Sequence, residues 1–434
     1  MDPVIGASLL LAATLTLLLV TGVWIGIALI VGGILVFAFC TPVDPGSIMP
    51  STLWDASWNW ALTALPLFIW MGEILTRAGL SASLFSGLAP WLRRWPGGLM
   101  HVNVVGCGVM AAVAGSSSVT CATVGRMSIP ELTKRGYDRR MMIGSLAGSG
   151  TFGLMIPPSI VMIVYGVIAQ QSVARLFIAG ILPGLMLVAL FSGFIALWSL
   201  RNPALAGQPE PPTTLGEKLR ASRDLLPVVG LIVAVISAIY AGIATPTEAA
   251  TLGIAGALAL AAWNRRLDRR MFMESLLSAT RISCMISFII GTAAVLSISV
   301  GFADIPRALA GWVDSLQLSN YALLAVLTVV FLALGCFLEG NSILVLTSPV
   351  ILPMIATAGI DPLWFGIYAV IVIECAQITP PVGFNLFILK SITGASIWEV
   401  TKATLPFVGL LLLAVVLIVL FPAIVTFLPG LMMR

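Results

Sequence analysis

Long apolar blocks broken by short polar turns set the pattern of this chain, and their lengths predict membrane helices rather than a soluble core. The first two blocks cover residues 4–20 and 23–39. They are read as two membrane helices, because the first forty residues have neither a basic start nor a small-residue cleavage site. An acidic, Pro-containing loop over 44–55 carries no Lys or Arg, and a third block over 61–80 ends in the basic turn 91–96. From 99 to 132 the chain is apolar again, yet Gly115, Ser116, Ser117 and Ser118 interrupt its middle, and a second basic turn follows at 134–140. Both flanking turns are basic, so the positive-inside rule puts both ends in the cytoplasm. Two full spans need roughly 20 residues each, which predicts a re-entrant helical hairpin over 99–133 with the Gly-Ser cluster at its tip.

The next block, 141–169, contains Gly150-Thr151-Phe152-Gly153 and then Ile156-Pro157-Pro158-Ser159. Adjacent prolines remove two N–H groups and clash with the preceding turn, so the helix breaks there. In hydrocarbon such a break is tolerated only where protein or a polar cavity satisfies the freed backbone. A further span follows at 178–200.

The second half repeats this pattern. Adding 223 carries Pro130 to Pro353, Gly136 to Gly359, Asp138 to Asp361, Pro157-Pro158 to Pro380-Pro381 and Pro183 to Pro406. On the same offset Ser117-Ser118 falls on Gly340-Asn341. Residues 1–200 and 225–434 therefore form two repeats around a polar, basic linker at 201–224. The second repeat has predicted spans at 225–240, 248–263 and 282–300 and a mixed loop with Asp304, Arg307 and Asp314. A hairpin at 322–357 follows, then a broken helix at 363–389 and a last span at 405–427. The turn after the first hairpin is basic and its partner at 359–362 is not, which predicts opposite orientations. The expected architecture is an all-α polytopic membrane protein with about ten spans, two re-entrant hairpins and two broken helices in an inverted repeat, both termini outside.

Composition agrees with this and removes several function classes. The chain is 59% hydrophobic and 9% charged with a mean hydropathy of +1.08, too little polar material to cover a soluble surface. The net charge of +4 belongs to basic loops, so nucleic acid is not an expected partner and the lipid bilayer is. Six cysteines stand singly without C-x-x-C spacing, supporting neither a transition-metal site nor a disulfide framework. No P-loop is present, so the chain does not itself hydrolyse ATP. A serine protease built from the single His101 and Ser116–Ser118 would not explain a repeated Pro-Pro break, and no enzyme activity is expected. A channel is disfavoured because no filter-like repeat is visible.

Hairpin tips entering from opposite faces and two broken helices meeting near mid-membrane are what alternating access around a central site requires. A small hard cation such as Na⁺ needs several oxygen ligands. The candidates are Ser116, Ser117, Thr151 and the carbonyl region of Gly153 at one site, and Gly340, Asn341, Ala376 and Thr379 at the other. Ser118, Pro157, Pro158, Ser159, Ser342, Glu374, Pro380, Pro381, Gly383 and Asn385 are assigned to the substrate cavity and helix breaks. Glu374 stands out as a charge within an apolar broken helix. Glu73, Glu131, Glu248, Glu274, Arg281 and Glu339 also lie in or beside spans, and Glu73 and Arg77 sit one turn apart for pairing.

Residues 114–118, Ile129-Pro130-Glu131, Arg135-Gly136-Tyr137-Asp138 and Gly153…Ile156-Pro157-Pro158-Ser159-Ile160 together resemble the large membrane subunit of tripartite ATP-independent periplasmic (TRAP) transporters. So do Gly359-Ile360-Asp361-Pro362 and Ile378-Thr379-Pro380-Pro381-Val382-Gly383-Phe384-Asn385. The resemblance spans nearly the whole chain. It implies an elevator-type carrier in the bacterial inner membrane, driven by Na⁺ and working with a small four-helix membrane subunit. A periplasmic substrate-binding protein would deliver a small organic acid, often a carboxylate. This chain departs from many relatives in its three consecutive serines, in Trp24, and in Glu339-Gly340-Asn341-Ser342 at the second tip. A self-sufficient Na⁺- or H⁺-coupled carboxylate carrier of similar architecture is the alternative.

Overall fold

The structure, a computed structural model, describes residues 3–205, 207, 214–223, 225–315, 319–380 and 383–432. Among them only helices and turns build the fold. In the first half these are α1 (Pro3–Val20), α2 (Ile25–Cys40), α3 (Pro45–Ser57), α4 (Trp60–Leu75), α5 (Ser81–Leu92), α6 (His101–Ala114), α7 (Ser117–Lys134), α8 (Arg139–Gly150), α9 (Ile160–Ile168) and α10 (Val173–Arg201). A short linker helix α11 (Leu215–Ala221) leads into the second half. That half comprises α12 (Leu226–Tyr240), α13 (Pro246–Trp263), α14 (Arg269–Phe302), α15 (Ile305–Ser315), α16 (Asn320–Gly335), α17 (Gly340–Thr357), α18 (Pro362–Gln377), α19 (Phe384–Thr393), α20 (Ile397–Leu420) and α21 (Ala423–Met432).

The duplication seen in the sequence is a duplication of elements. Ser117 and Gly340 each begin an 18-residue helix, and Arg139 and Pro362 begin the first pieces of the two broken helices. The turns before those pieces repeat in detail. Gly136 and Gly359 both hold positive φ, at 73° and 68°, a conformation that glycine adopts without a Cβ penalty. Two residues later Asp138 and Asp361 accept hydrogen bonds from the Met141 and Leu363 amides, capping α8 and α18.

One difference between the halves lies ahead of the hairpins. Residues 45–79 hold two helices in the first half, because Trp58 leaves helical geometry and Asn59 caps α4 through the Ala61 amide. Their counterpart α14 runs unbroken for 34 residues.

Several expectations are corrected. The acidic stretch 44–55 is largely helical, as α3. The stretch between the third block and the basic turn is the helix α5, and the mixed loop after 300 is its repeat partner α15. Both were missed because neither is apolar enough to read as a span. The last span lies earlier than 405–427. It is α20, carrying Lys402 inside it, and a kink at Phe421-Pro422 separates it from α21. Part of the linker (206, 208–213 and 224), with Pro381 and Val382 at the second break, lies outside the described residues.

By length and composition, five helices among the described residues could cross a membrane: Trp60–Gly79, Val173–Arg201, Arg269–Phe302, Gly340–Thr357 and Ile397–Leu420. The bent pair α11 and α12 would make a sixth.

Packing sorts the helices into two bodies. In one, α2, α3 and α4 lie on α14, with α13 on α4, α1 on α2 and α12 on α13. In the other, the hairpin α6–α7 and the broken helix α8–α9 interlock with α10 and with α16–α20, most closely where α20 lies along α8 and α19 along α7. The bodies meet where α14 faces α17 and α4 faces α6 and α9, and α5 and α15 join them covalently.

Candidate functional site

The first hairpin tip is seated in the first helix break. Gly115, left-handed at φ 59°, turns the chain between α6 and α7, and its carbonyl accepts from the Ile160 amide at 3.4 Å. The turn Thr151–Leu154 packs against both arms of the hairpin. A Cβ on Gly153 would stand 2.4 Å from the Ser116 carbonyl group and 2.6 Å from the Ser117 amide. Backbone meets backbone here, so only glycine fits. Ser116, Ser117, Thr151 and Gly153, grouped from sequence, are thus brought together.

The second tip meets the second break differently. Gly340 faces Ile373 and Gln377 of α18 and reaches Leu154 of the first break, where its missing Cβ would stand 2.9, 3.4 and 3.3 Å from them. Gly335 leaves room for Ala376 on the same helix. Gln377, absent from the sequence-based set, is buried with both amide atoms free of hydrogen bonds. Neither oxygen of the fully buried Glu374 has a hydrogen-bond partner, and the same holds for Oδ1 of Asn341. The Met155 amide lies beside the Glu374 carboxylate without hydrogen-bonding geometry. Buried polar atoms are normally paired, so these unpaired atoms of the second repeat, set against Leu154 and Met155 of the first break, mark a place built for something other than packing. The signal for Gln377 was its position one turn after Glu374 in an otherwise apolar helix.

Other freed backbone groups are already satisfied. The Ser159 hydroxyl donates to the Leu154 carbonyl and accepts from the Met162 amide, capping α9. The carbonyls of Ile378 and Pro380 lie 3.5 Å from the Thr404 hydroxyl and the Cys336 thiol, whose single hydrogens also have the Thr401 and Leu332 carbonyls at 2.8 and 3.4 Å. The carbonyl of Ala376 accepts from the Thr379 amide at 3.2 Å. Thr151 and Thr379 donate their hydroxyls to Gly148 and Cys375 at 2.7 and 2.6 Å, which leaves oxygen lone pairs available as ligands.

Between the two tips lies a cavity of about 140 Å³. Its polar wall consists of Ser116, Glu339 and Asn341 from the tips with Glu73 of α4 and Thr76 just after it. Leu154 and Ile160 line it from the first break, and Ile282, Met285 and Ile286 of α14 close the apolar side.

Of the ten residues assigned to the substrate cavity and helix breaks, none of the described ones lines this cavity, and Pro157, Pro158 and Pro380 stand at the breaks themselves. Pro157 and Pro158 lie in an apolar recess with Phe68 and Phe177. Ser159 is a cap, Ser342 is buried within α17, and Asn385 is buried on α19 beside α7 with both amide atoms unpartnered. Ser118, Glu374, Pro380 and Gly383 also lie off the cavity wall, and Pro381 falls outside the described residues.

Ser116 and Glu339 precede α7 and α17 in the N-cap position with extended backbone, and neither side chain caps its own helix. Asp138, Ser159, Ser172, Thr245, Asp268, Ser319, Asp361 and Ser396 all cap theirs. Two helix N-termini therefore border the cavity without side-chain caps, and such ends carry partial positive charge worth about 0.3–1 kcal/mol to a nearby anion. The walls thus offer both an anion-attracting field and hydroxyl, amide and carboxylate oxygens suited to a small cation.

Comparison with known proteins places this geometry. The profile described as "Tripartite ATP-independent periplasmic transporter, DctM component" matches residues 12–424. The chain is 33% identical over 442 aligned positions to the C4-dicarboxylate TRAP transporter large permease protein DctM of Rhodobacter capsulatus, covering 98% of this chain and 99% of that one. It is 31% identical to the isethionate TRAP transporter permease protein DctMQ of Oleidesulfovibrio alaskensis, covering 95% of this chain and 65% of that longer one. The crystal structure of the Alcanivorax borkumensis YdaH transporter superposes with a TM-score of 0.66 at 15% identity, over 93% of this chain and 96% of that one. That likeness shows a shared fold.

Proposed function

The chain belongs to the DctM-component family of TRAP transporters, and we propose that it is the permease through which Na⁺ drives uptake of a small organic acid handed over by a periplasmic binding protein. It is an integral membrane protein of the inner-membrane transporter type. The observation that carries the reading is the cavity between the two tips, bordered by two helix ends that their own N-cap side chains leave uncapped. Helix N-termini aimed at a mid-membrane cavity attract the acid group of a substrate.

Coupling follows from the oxygens behind and between the tips. Ser116, Ser117, Thr151 and the turn at Gly153 would hold one cation, and Asn341, Thr379 and backbone near Gly340 and Ala376 a second. Glu339, whose carboxylate makes no hydrogen bond or ion pair among the described residues, gives the second site a formal charge for a cation to offset. The body holding hairpins and broken helices would move against the body built on α14, with α5 and α15 as connecting arms, in an elevator cycle. A small membrane subunit would widen the fixed body. The named relatives carry C4-dicarboxylates and isethionate, which suggests a carboxylate or sulfonate substrate of similar size.

The test is uptake in proteoliposomes holding the permease, the small subunit and the liganded binding protein, with external Na⁺ exchanged for choline. Uptake should stop in choline. Uptake that continues unchanged in choline would remove Na⁺ coupling from the account and turn attention to protons and Glu374.

A further inference from the structure

We propose that Arg126 faces a corridor leading from the tip cavity toward the basic turns, and that its guanidinium draws the substrate's acid group along this path. The inference rests on the transporter reading and adds a residue and a route to it. On α7, Ser117, Cys121, Val124, Gly125 and Ser128 are buried, and Gly125 backs onto Leu146 and Ile392. The opposite face carries Val119, Arg126 and Pro130, all exposed. Val119 lines the tip cavity with Ser116. Arg126 follows seven residues later, two turns along the same face, or about 10 Å at 1.5 Å per residue.

The Arg126 guanidinium makes no hydrogen bond or ion pair among the described residues. On the other body a chain of charges begins on the cavity wall. Glu73 pairs with Arg77 at 3.1 Å, Arg77 with Glu274 at 2.8 Å, and Glu274 with Arg270 at 2.7 Å, at the start of α14. The chain is internally neutral, so neither Arg77 nor Arg270 is a free cation for a passing anion, whereas Arg126 is. An unpaired charge within a membrane segment is costly unless it faces a bundle interior or water. Arg126 lies eight residues, about 12 Å, short of the end of α7, so a corridor between the bodies explains its exposure without placing it in lipid. A guanidinium also suits the chemistry, since its planar fork matches carboxylate or sulfonate oxygens in pairs.

The experiment measures electrostatic steering at a probe position and does not require transport. Val119 is replaced by cysteine in a chain whose exposed Cys284 and half-exposed Cys40 are serine, in membranes open on the side of the basic turns. Reaction rates are compared for an anionic reagent, 2-sulfonatoethyl methanethiosulfonate, and its trimethylammonium counterpart. The anionic-to-cationic rate ratio should fall about tenfold on Arg126→Gln and stay near the parent value on Arg126→Lys. A ratio indifferent to Arg126→Gln would overturn the proposal. So would a Val119→Cys thiol that only a lipid-soluble maleimide reaches, because the face would then be lipid-facing. In the complete system Arg126→Gln should lower the maximal uptake rate about tenfold with the Na⁺ concentration for half-maximal uptake unchanged. A shift in that Na⁺ concentration instead would make Arg126 part of the cation machinery and overturn the steering role. Failure of the parent complex to take up any acid would count against the transporter reading, while the steering ratio would still stand.

Discussion

Ser116 and Glu339 are repeat partners 223 residues apart, each sits just before a tip helix that it does not cap, and both line the same cavity. One is a hydroxyl and the other a carboxylate, so the two tips are alike in backbone and unlike in charge. If the oxygens beside them hold coupling cations, alanine at Ser116 or at Asn341 should raise the Na⁺ concentration for half-maximal uptake about fivefold to tenfold. That corresponds to about 1 kcal/mol for one weak ligand lost. Isothermal titration of the binding protein should show its substrate affinity untouched.

Gly153→Ala should separate the first tip from its break. The new methyl group would meet backbone on both sides, at 2.4 Å and 2.6 Å, and overpacking of this kind costs about 1–3 kcal/mol. Thermal unfolding of the purified protein should move down accordingly, and uptake should fall more than tenfold. Unchanged melting and uptake would show that tip and break are not in contact.

Gln377→Leu distinguishes a binding role from a packing role. An amide buried with neither atom hydrogen-bonded destabilises a fold by about 1–3 kcal/mol, so leucine should leave stability equal or higher when measured without Na⁺. Uptake should nonetheless drop severalfold. A variant that melts higher and transports normally would make Gln377 a packing residue.

Orientation is testable by labelling. Single cysteines at Lys134 and Asp361, in a background without other accessible thiols, should react with an impermeant reagent from opposite faces. Reaction of both from one face would refute the inverted arrangement.

How far the sequence carried the structure depended on which physics each segment used. The Pro-Pro break, the Gly-x-Asp turns and the Gly-Ser tip were legible because prolines, positive-φ glycines and capping aspartates act on their own backbone. The helices α5 and α15 were not, since a short helix between two bodies lacks the long apolar run that marks a span. The cavity wall was only half legible. Ser116 and Asn341 were found by repeat position, but the contributions of Glu73 and Thr76 depend on α4 crossing the tip. That crossing comes about because Gly72 lets α4 lie against the backbone at Val113 and Ala114. Ser159 misled because a serine beside a helix break has the composition of a ligand and the geometry of a cap.

The most direct measurement is accumulation of free substrate in liposomes under an inward Na⁺ gradient, with the chain alone, with the small subunit, and with both partners and ligand. Accumulation only in the complete set is the predicted result, with an inside-negative potential adding about 2.3 kcal/mol per 100 mV for each net positive charge moved inward. Full accumulation by the chain alone would contradict it and identify a self-sufficient carboxylate carrier of the same architecture.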